Sequence, residues 1–211
     1  MTQILIFGDS IAYGAWDKEG GWVQRLRKFL DEKNLTDSDF YCRVYNLGIS
    51  GNSSKNLLER FEFETKQRLK EDEETIIIFA IGINDSQFVH SKGNHRVPID
   101  KFKDNIQKLI KLAQKFSSKI IFVGLTPVDE AKTTPIPWNT DKSYKNEYIE
   151  QYNQTIKETC REEKIYFIEI FEKLKGTDYQ KLLEDGLHPN SDGHQRIFEI
   201  VKEFLIKKHL T

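Results

Sequence analysis

Four apolar runs constrain the fold of this chain more than any other feature: residues 4–7 (ILIF), 75–81 (TIIIFAI), 119–125 (KIIFVGL) and 164–170 (KIYFIEI). They are rich in Ile, Val and Phe and do not alternate with polar residues, the pattern of strands covered on both faces. A fifth and weaker run, YCRVYNLG, ends at Gly48.

Helical periodicity fills the gaps. Behind Pro98, Ile99, Phe102, Ile106, Leu109, Ile110, Ala113 and Phe116 recur every three or four positions and form one apolar stripe. Trp22, Val23, Leu26, Phe29 and Leu30 make a comparable face, and Leu57, Leu58, Phe61 and Leu69 a shorter or less regular one. Ile149, Tyr152, Ile156 and Cys160 mark a fourth helix, and Ile197, Phe198, Val201, Phe204 and Leu205 a fifth.

Strand and helix thus alternate five times. Right-handed crossovers then place helices on both sides of a mostly parallel sheet, giving a three-layer α/β/α fold. In such a fold the carboxyl ends of all strands gather at one edge, where sites are built. Two longer connections, residues 86–97 and 126–143, each follow a strand and should lie over that edge. With 211 residues and no repeat or low-complexity tract, the expectation is a single domain, 1–211.

Composition narrows the function classes. The 32 basic and 33 acidic side chains nearly cancel, so nothing points to a nucleic acid or another polyanion. Cys42 and Cys160 lack metal-ligand or dithiol spacing and read as buried thiols. His90, His95, His194 and His209 are likewise not spaced as zinc ligands, so no metal is expected. The chain enters QILIF without a basic leader, and no apolar run approaches the ~20 residues needed to cross a bilayer. The expectation is a cytoplasmic protein without integral membrane association, unless a signal peptide has been removed; oligomeric state is not legible.

The chemistry candidates all fall at the carboxyl edge. Ser10 follows the first strand directly, as a helix cap or as a nucleophile. Asp185 precedes His188 by three residues in DGLHPNSDGH, close enough for the carboxylate to orient the imidazole while its other nitrogen faces outward. The bland reading makes Asp185-Gly186 a turn and Ser191 the cap of the last helix. A serine hydroxyl needs a nearby base, because its alkoxide is scarce at neutral pH. NLGISGNSS supplies Gly48 and Gly51 where backbone amides can be exposed, and GINDS supplies the Asn84 amide. Either these serve an oxyanion, or the glycines permit positive φ and Asn84 closes a turn.

Four ordered blocks, FGDS at 7–10, NLGISGNSS at 46–54, GIND at 82–85 and DGLHPN at 185–190, resemble those of the SGNH hydrolase (GDSL-like lipase/esterase) family. The resemblance implies a flavodoxin-like five-stranded parallel sheet in the order 2-1-3-4-5. It assigns Ser10 as nucleophile, His188 as base and Asp185 as the residue orienting it. The oxyanion donors would be the amides of Ser10 and Gly51 and the side chain of Asn84. No cofactor is implied, and the expected reaction is hydrolysis of a small ester through an acyl-serine intermediate. A small-molecule carboxylesterase is the first reading; an acetylated-carbohydrate esterase, lysophospholipase or thioesterase of the same mechanism is the alternative. The long segment after Thr126-Pro127 departs from better-known relatives.

Asp9 and Asp85 adjoin these residues and read as positioning groups, since a carboxylate beside an oxyanion would oppose its charge. Trp138 and Phe88 are candidate substrate contacts, with Val89 and Trp16 in the same class. Other functions fit less well. Position 11 is Ile, where a double-aspartate phosphotransferase loop needs a second carboxylate, and no G-x-G-x-x-G or G-x-x-x-x-G-K-S/T run exists to hold phosphates. A G-x-S-x-G elbow is also missing, which separates the chain from α/β-hydrolases. A noncatalytic interaction protein is disfavoured by the intact set of blocks.

Overall fold

A computed structural model describes residues 1–211. Five strands, β1 (Thr2–Gly8), β2 (Cys42–Gly48), β3 (Glu74–Ala80), β4 (Lys119–Val123) and β5 (Tyr166–Ile168), form one sheet in the order β2-β1-β3-β4-β5. Every neighbouring pair is parallel. Five long helices complete three layers: α1 (Gly21–Thr36), α2 (Ser54–Lys66), α3 (Ile99–Ala113), α4 (Asn146–Glu162) and α5 (Ser191–Lys207). Helix α1 packs against α5, while α2, α3 and α4 pack in series.

The central strands carry the continuous apolar runs because they are covered twice. Ile4 to Phe7 of β1 and Ile76 to Phe79 of β3 are fully buried, within a core cluster of 50 residues. Edge strands read more weakly for the same reason: β2 alternates in burial, and β5 spans only Tyr166–Ile168 of the expected run. At Ile170 the backbone turns into the αR region and starts the short helix Phe171–Lys175. Helix α2 ends at Lys66 and leaves Leu69 outside; α3 ends at Ala113, and Phe116 beyond it packs edge-on against Phe61.

Register sets the site. Gly8 lies opposite Gly48 on one side and Ala80 on the other, so three strands end in one row and release residues 9–10, 49–51 and 81–84 side by side. A single helical turn, Ser10–Tyr13, sits directly on that row. Gly48 is needed for this close approach and not for a positive φ: a Cβ there would lie 2.4 Å from the Tyr13 amide nitrogen. Gly51 is the reverse case, at φ 77° with open space where a Cβ would project.

The two long connections are not loose loops. Phe88–Val89 pairs antiparallel with Asn94–His95 and with Lys142–Ser143, giving a small three-stranded sheet beyond the carboxyl edge of the main one. No periodicity announces strands of two residues; pairing between segments distant in sequence creates them.

Candidate active site

Asp9, not Ser10, caps the first turn: its Oδ1 accepts the Ile11 amide at 3.0 Å. Ser10 is therefore free of that task, and its Oγ lies 3.0 Å from His188 Nε2. The segment before α5 folds tightly around Asp185, whose Oδ1 accepts the amides of Leu187 at 2.9 Å and His188 at 2.8 Å. Asp185 Oδ2 meets His188 Nδ1 at 2.7 Å. Asp185 thus closes the turn and holds the ring at once. Asn190, rather than Ser191, caps α5 by accepting the Gly193 amide.

The tautomer follows from these contacts. With Nδ1–H donated to the carboxylate, Nε2 keeps its lone pair toward the Ser10 hydroxyl. Burial would raise the Asp185 carboxyl, but hydrogen bonds from the His188 ring and from the His188 and Leu187 amides outweigh it and hold the group at about 2. It is ionised at any pH where the enzyme would work, and it keeps the ring in one orientation.

A second set of contacts fixes Asn84. The Tyr144 hydroxyl donates to Asn84 Oδ1 at 3.0 Å and accepts from Gln87 Nε2 at 2.7 Å. Burial raises the Tyr144 phenol, so the hydroxyl keeps the proton it donates. With Oδ1 so engaged, Asn84 Nδ2 spends one hydrogen on the Asn52 carbonyl at 3.0 Å and has the other to offer. The Gly51 amide, on its exposed turn, donates to no acceptor within the chain. Asp85 ties the two blocks together by accepting the Ser54 amide at 3.0 and 2.9 Å and its hydroxyl at 2.5 Å.

Burial pushes the Asp9 carboxyl up to about 7, against the Ile11 hydrogen bond. Asp85 rises to about 6 for the same reason, opposed by its bonds from Ser54. Neither lines the cavity beside Ser10; Asp9 holds a backbone amide, and Asp85 holds the amide and hydroxyl of Ser54. No three His, Cys, Asp or Glu side chains converge to hold a metal ion.

Ser10, Gly51, Asn84 and His188 all line one cavity of about 220 Å³. Trp138 lines it too, with its ring largely exposed. Phe88 does not: it packs against the rings of His90, His95 and Tyr148 on the small sheet. Residues that the sequence did not single out complete the walls, among them Ser50, Gln87, Arg96, Asn139, Lys142 and Tyr144. Trp16 stands outside the cavity and sets its indole edge-on to His188, ring centroids 5.9 Å apart.

A serine, a histidine and an aspartate in hydrogen-bonded sequence, beside unspent amide donors at the carboxyl edge of a parallel sheet, are the parts of a serine hydrolase. The chain belongs to the GDSL-like lipase/acylhydrolase family, whose model matches residues 6–196, and is a serine esterase of that type acting on small esters. It is 25% identical to the isoamyl acetate-hydrolyzing esterase of Saccharomyces cerevisiae, over 98% of this chain and 89% of that protein. The lipase/acylhydrolase of Enterococcus faecalis shares the fold at TM-score 0.73 and 18% identity, covering 99% of this chain and 97% of that one. An acetylxylan esterase from Geobacillus stearothermophilus does so at TM-score 0.71 and 22% identity, over 97% and 92% of the two chains. No helix is long and apolar enough to cross a membrane.

Proposed function

We propose that Ser10, His188 and Asp185 carry out hydrolysis of short-chain acyl esters, acetyl esters foremost, of small hydroxyl-rich alcohols. The observation that carries the short-acyl reading is the size of the cavity at Ser10. About 220 Å³ lies below the ~300–1,000 Å³ of typical small-molecule pockets. The polar walls, which include Gln87 and Asn139 along with the exposed Trp138, suit an alcohol that presents hydroxyls and a flat face, as a sugar does. The isoamyl acetate-hydrolyzing and acetylxylan esterases named above share an acetyl group in their names while differing in the alcohol.

In this mechanism His188 Nε2 takes the Ser10 hydroxyl proton as Oγ attacks the ester carbonyl carbon. The amides of Ser10 and Gly51 and the free Nδ2–H of Asn84 receive the oxyanion, and Asp185 stabilises the imidazolium. Collapse expels the alcohol, protonated by His188, and leaves an acyl-Ser10. Water, giving its proton to His188, then attacks the acyl carbon, and His188 returns that proton to Ser10 Oγ as the acid leaves. The chain is read as one domain over 1–211 and as cytoplasmic, which its two buried, unpaired thiols support.

The test is a panel of esters and thioesters varied in acyl length, assayed with intact protein beside Ser10→Ala. Activity should fall as the acyl chain lengthens beyond a few carbons and should vanish with Ser10→Ala. A preference for long acyl chains would overturn the short-acyl reading.

A further inference from the structure

The small sheet contributes charge as well as cover. Arg96, next to the strand Asn94–His95, and Lys142, in the strand Lys142–Ser143, both line the cavity that holds Ser10 and His188. No Asp or Glu lines it with them. Of the other seven arginines, Arg25, Arg27, Arg43, Arg60, Arg68 and Arg196 each meet a carboxylate, and Arg161, on helix α4 away from the cavity, does not. The side chains of Arg96 and Lys142 make neither an ion pair nor a hydrogen bond within the chain.

The nearby carboxylates are committed to other partners. Asp141, adjacent to Lys142, accepts the amide and hydroxyl of Ser91 at 2.7 and 2.6 Å. Asp85 is buried on Ser54, and Asp185 is engaged with His188. Two unpaired cations lining one concave site give it a positive potential that favours an entering anion. A guanidinium and an ammonium that share such a cavity form a subsite for a carboxylate.

We infer that Arg96 and Lys142 form an anion subsite within the catalytic cavity, and that the preferred substrate is an ester bearing a carboxylate close to the scissile bond. The inference rests on the esterase reading and adds the charge of the substrate to it. The carboxylate can belong to the alcohol, as in an acetylated hexuronic acid, or to the acyl group, as in a succinate half-ester. The chemistry at Arg96 and Lys142 is the same in both.

The experiment compares matched pairs: an O-acetyl hexuronic acid with the corresponding O-acetyl hexose, and monomethyl succinate with methyl butyrate. The expected result is a kcat/KM about tenfold or more higher for the charged member of at least one pair, which also identifies the side that carries the charge. That advantage should shrink as salt rises toward 0.5 M, while the neutral member changes little. In Arg96→Gln and Lys142→Gln, checked for folding by thermal melts, the charged-to-neutral ratio should fall by about tenfold. Hydrolysis of neutral esters that Ser10→Ala abolishes, with no charged preference in either pair and no salt effect, overturns the anion subsite and leaves the esterase reading intact. Hydrolysis of no ester at all overturns both.

Discussion

The indole N–H of Trp16 lies 3.1 Å from Asp185 Oδ2, although the two residues are 169 positions apart in sequence. His188 Nδ1 is equally close to it, but a ring nitrogen whose proton goes to Asp185 cannot accept, so the carboxylate is the acceptor. Trp16 takes φ 66°, a left-handed conformation rare outside glycine, and its loop is anchored where Asp17 binds Arg25 and Arg25 reaches Ser191 Oγ at 2.8 Å. Trp16→Phe, which removes the N–H together with part of the ring set against His188, should lower kcat about 3- to 10-fold with little change in KM, since three other donors still hold Asp185. Steady-state kinetics on an accepted ester checks this; a changed KM with unchanged kcat would make Trp16 a substrate wall instead.

The Tyr144–Asn84 contact predicts a graded pair. Asn84→Ala should lower kcat by roughly 10²- to 10³-fold, the cost of one oxyanion donor. Tyr144→Phe keeps Asn84 but frees its amide to rotate, and should cost less, about 10-fold. The same kinetics, with KM followed separately, distinguishes loss of transition-state contact from loss of substrate binding.

The two glycines of the second block should differ in cost. Gly48→Ala forces a Cβ onto the Tyr13 amide nitrogen, displaces the turn that presents Ser10, and should cost about 2–4 kcal/mol of stability along with activity. Gly51→Ala meets open space and pays only for its left-handed backbone, about 1–2 kcal/mol. Urea unfolding of the two variants measures the difference.

Asp9 gives the pH dependence a sign. Its folded value of about 7 lies above the ordinary 3.8, so the folded state holds the extra proton between those values. The stability associated with protonated Asp9 is fully present below about pH 4 and is lost as pH rises toward 7. Asp9→Asn retains the acceptor for the Ile11 amide but has no proton to lose. Relative to the native protein, its Tm should be similar at pH 4 and several degrees higher at pH 8, as scanning calorimetry would show.

How much of this was legible in the sequence depended on how local the signal was. The buried strands β1, β3 and β4 announced themselves as continuous Ile, Val and Phe runs because both faces are covered, and the expected order 2-1-3-4-5 is the order found. The extent of β5, the small sheet and the cap on the first turn were not visible. Edge exposure, long-range pairing of two-residue strands, and a one-residue shift from Ser10 to Asp9 leave no periodic trace. Within the site, Asp185 and His188 lie three residues apart and could be read together. Tyr144 meets Asn84 across 60 positions and Trp16 meets Asp185 across 169, so only the folded chain reveals those contacts. Nothing in the sequence singles out Arg96 and Lys142; the small sheet brings them to one cavity.

Mass analysis of enzyme quenched during turnover of an acetyl ester tests the central assignment most directly. The account predicts one acetyl group on the peptide that contains Ser10, chased away by time and never formed in Ser10→Ala. An acyl group on another residue, or undiminished turnover by Ser10→Ala, would contradict it.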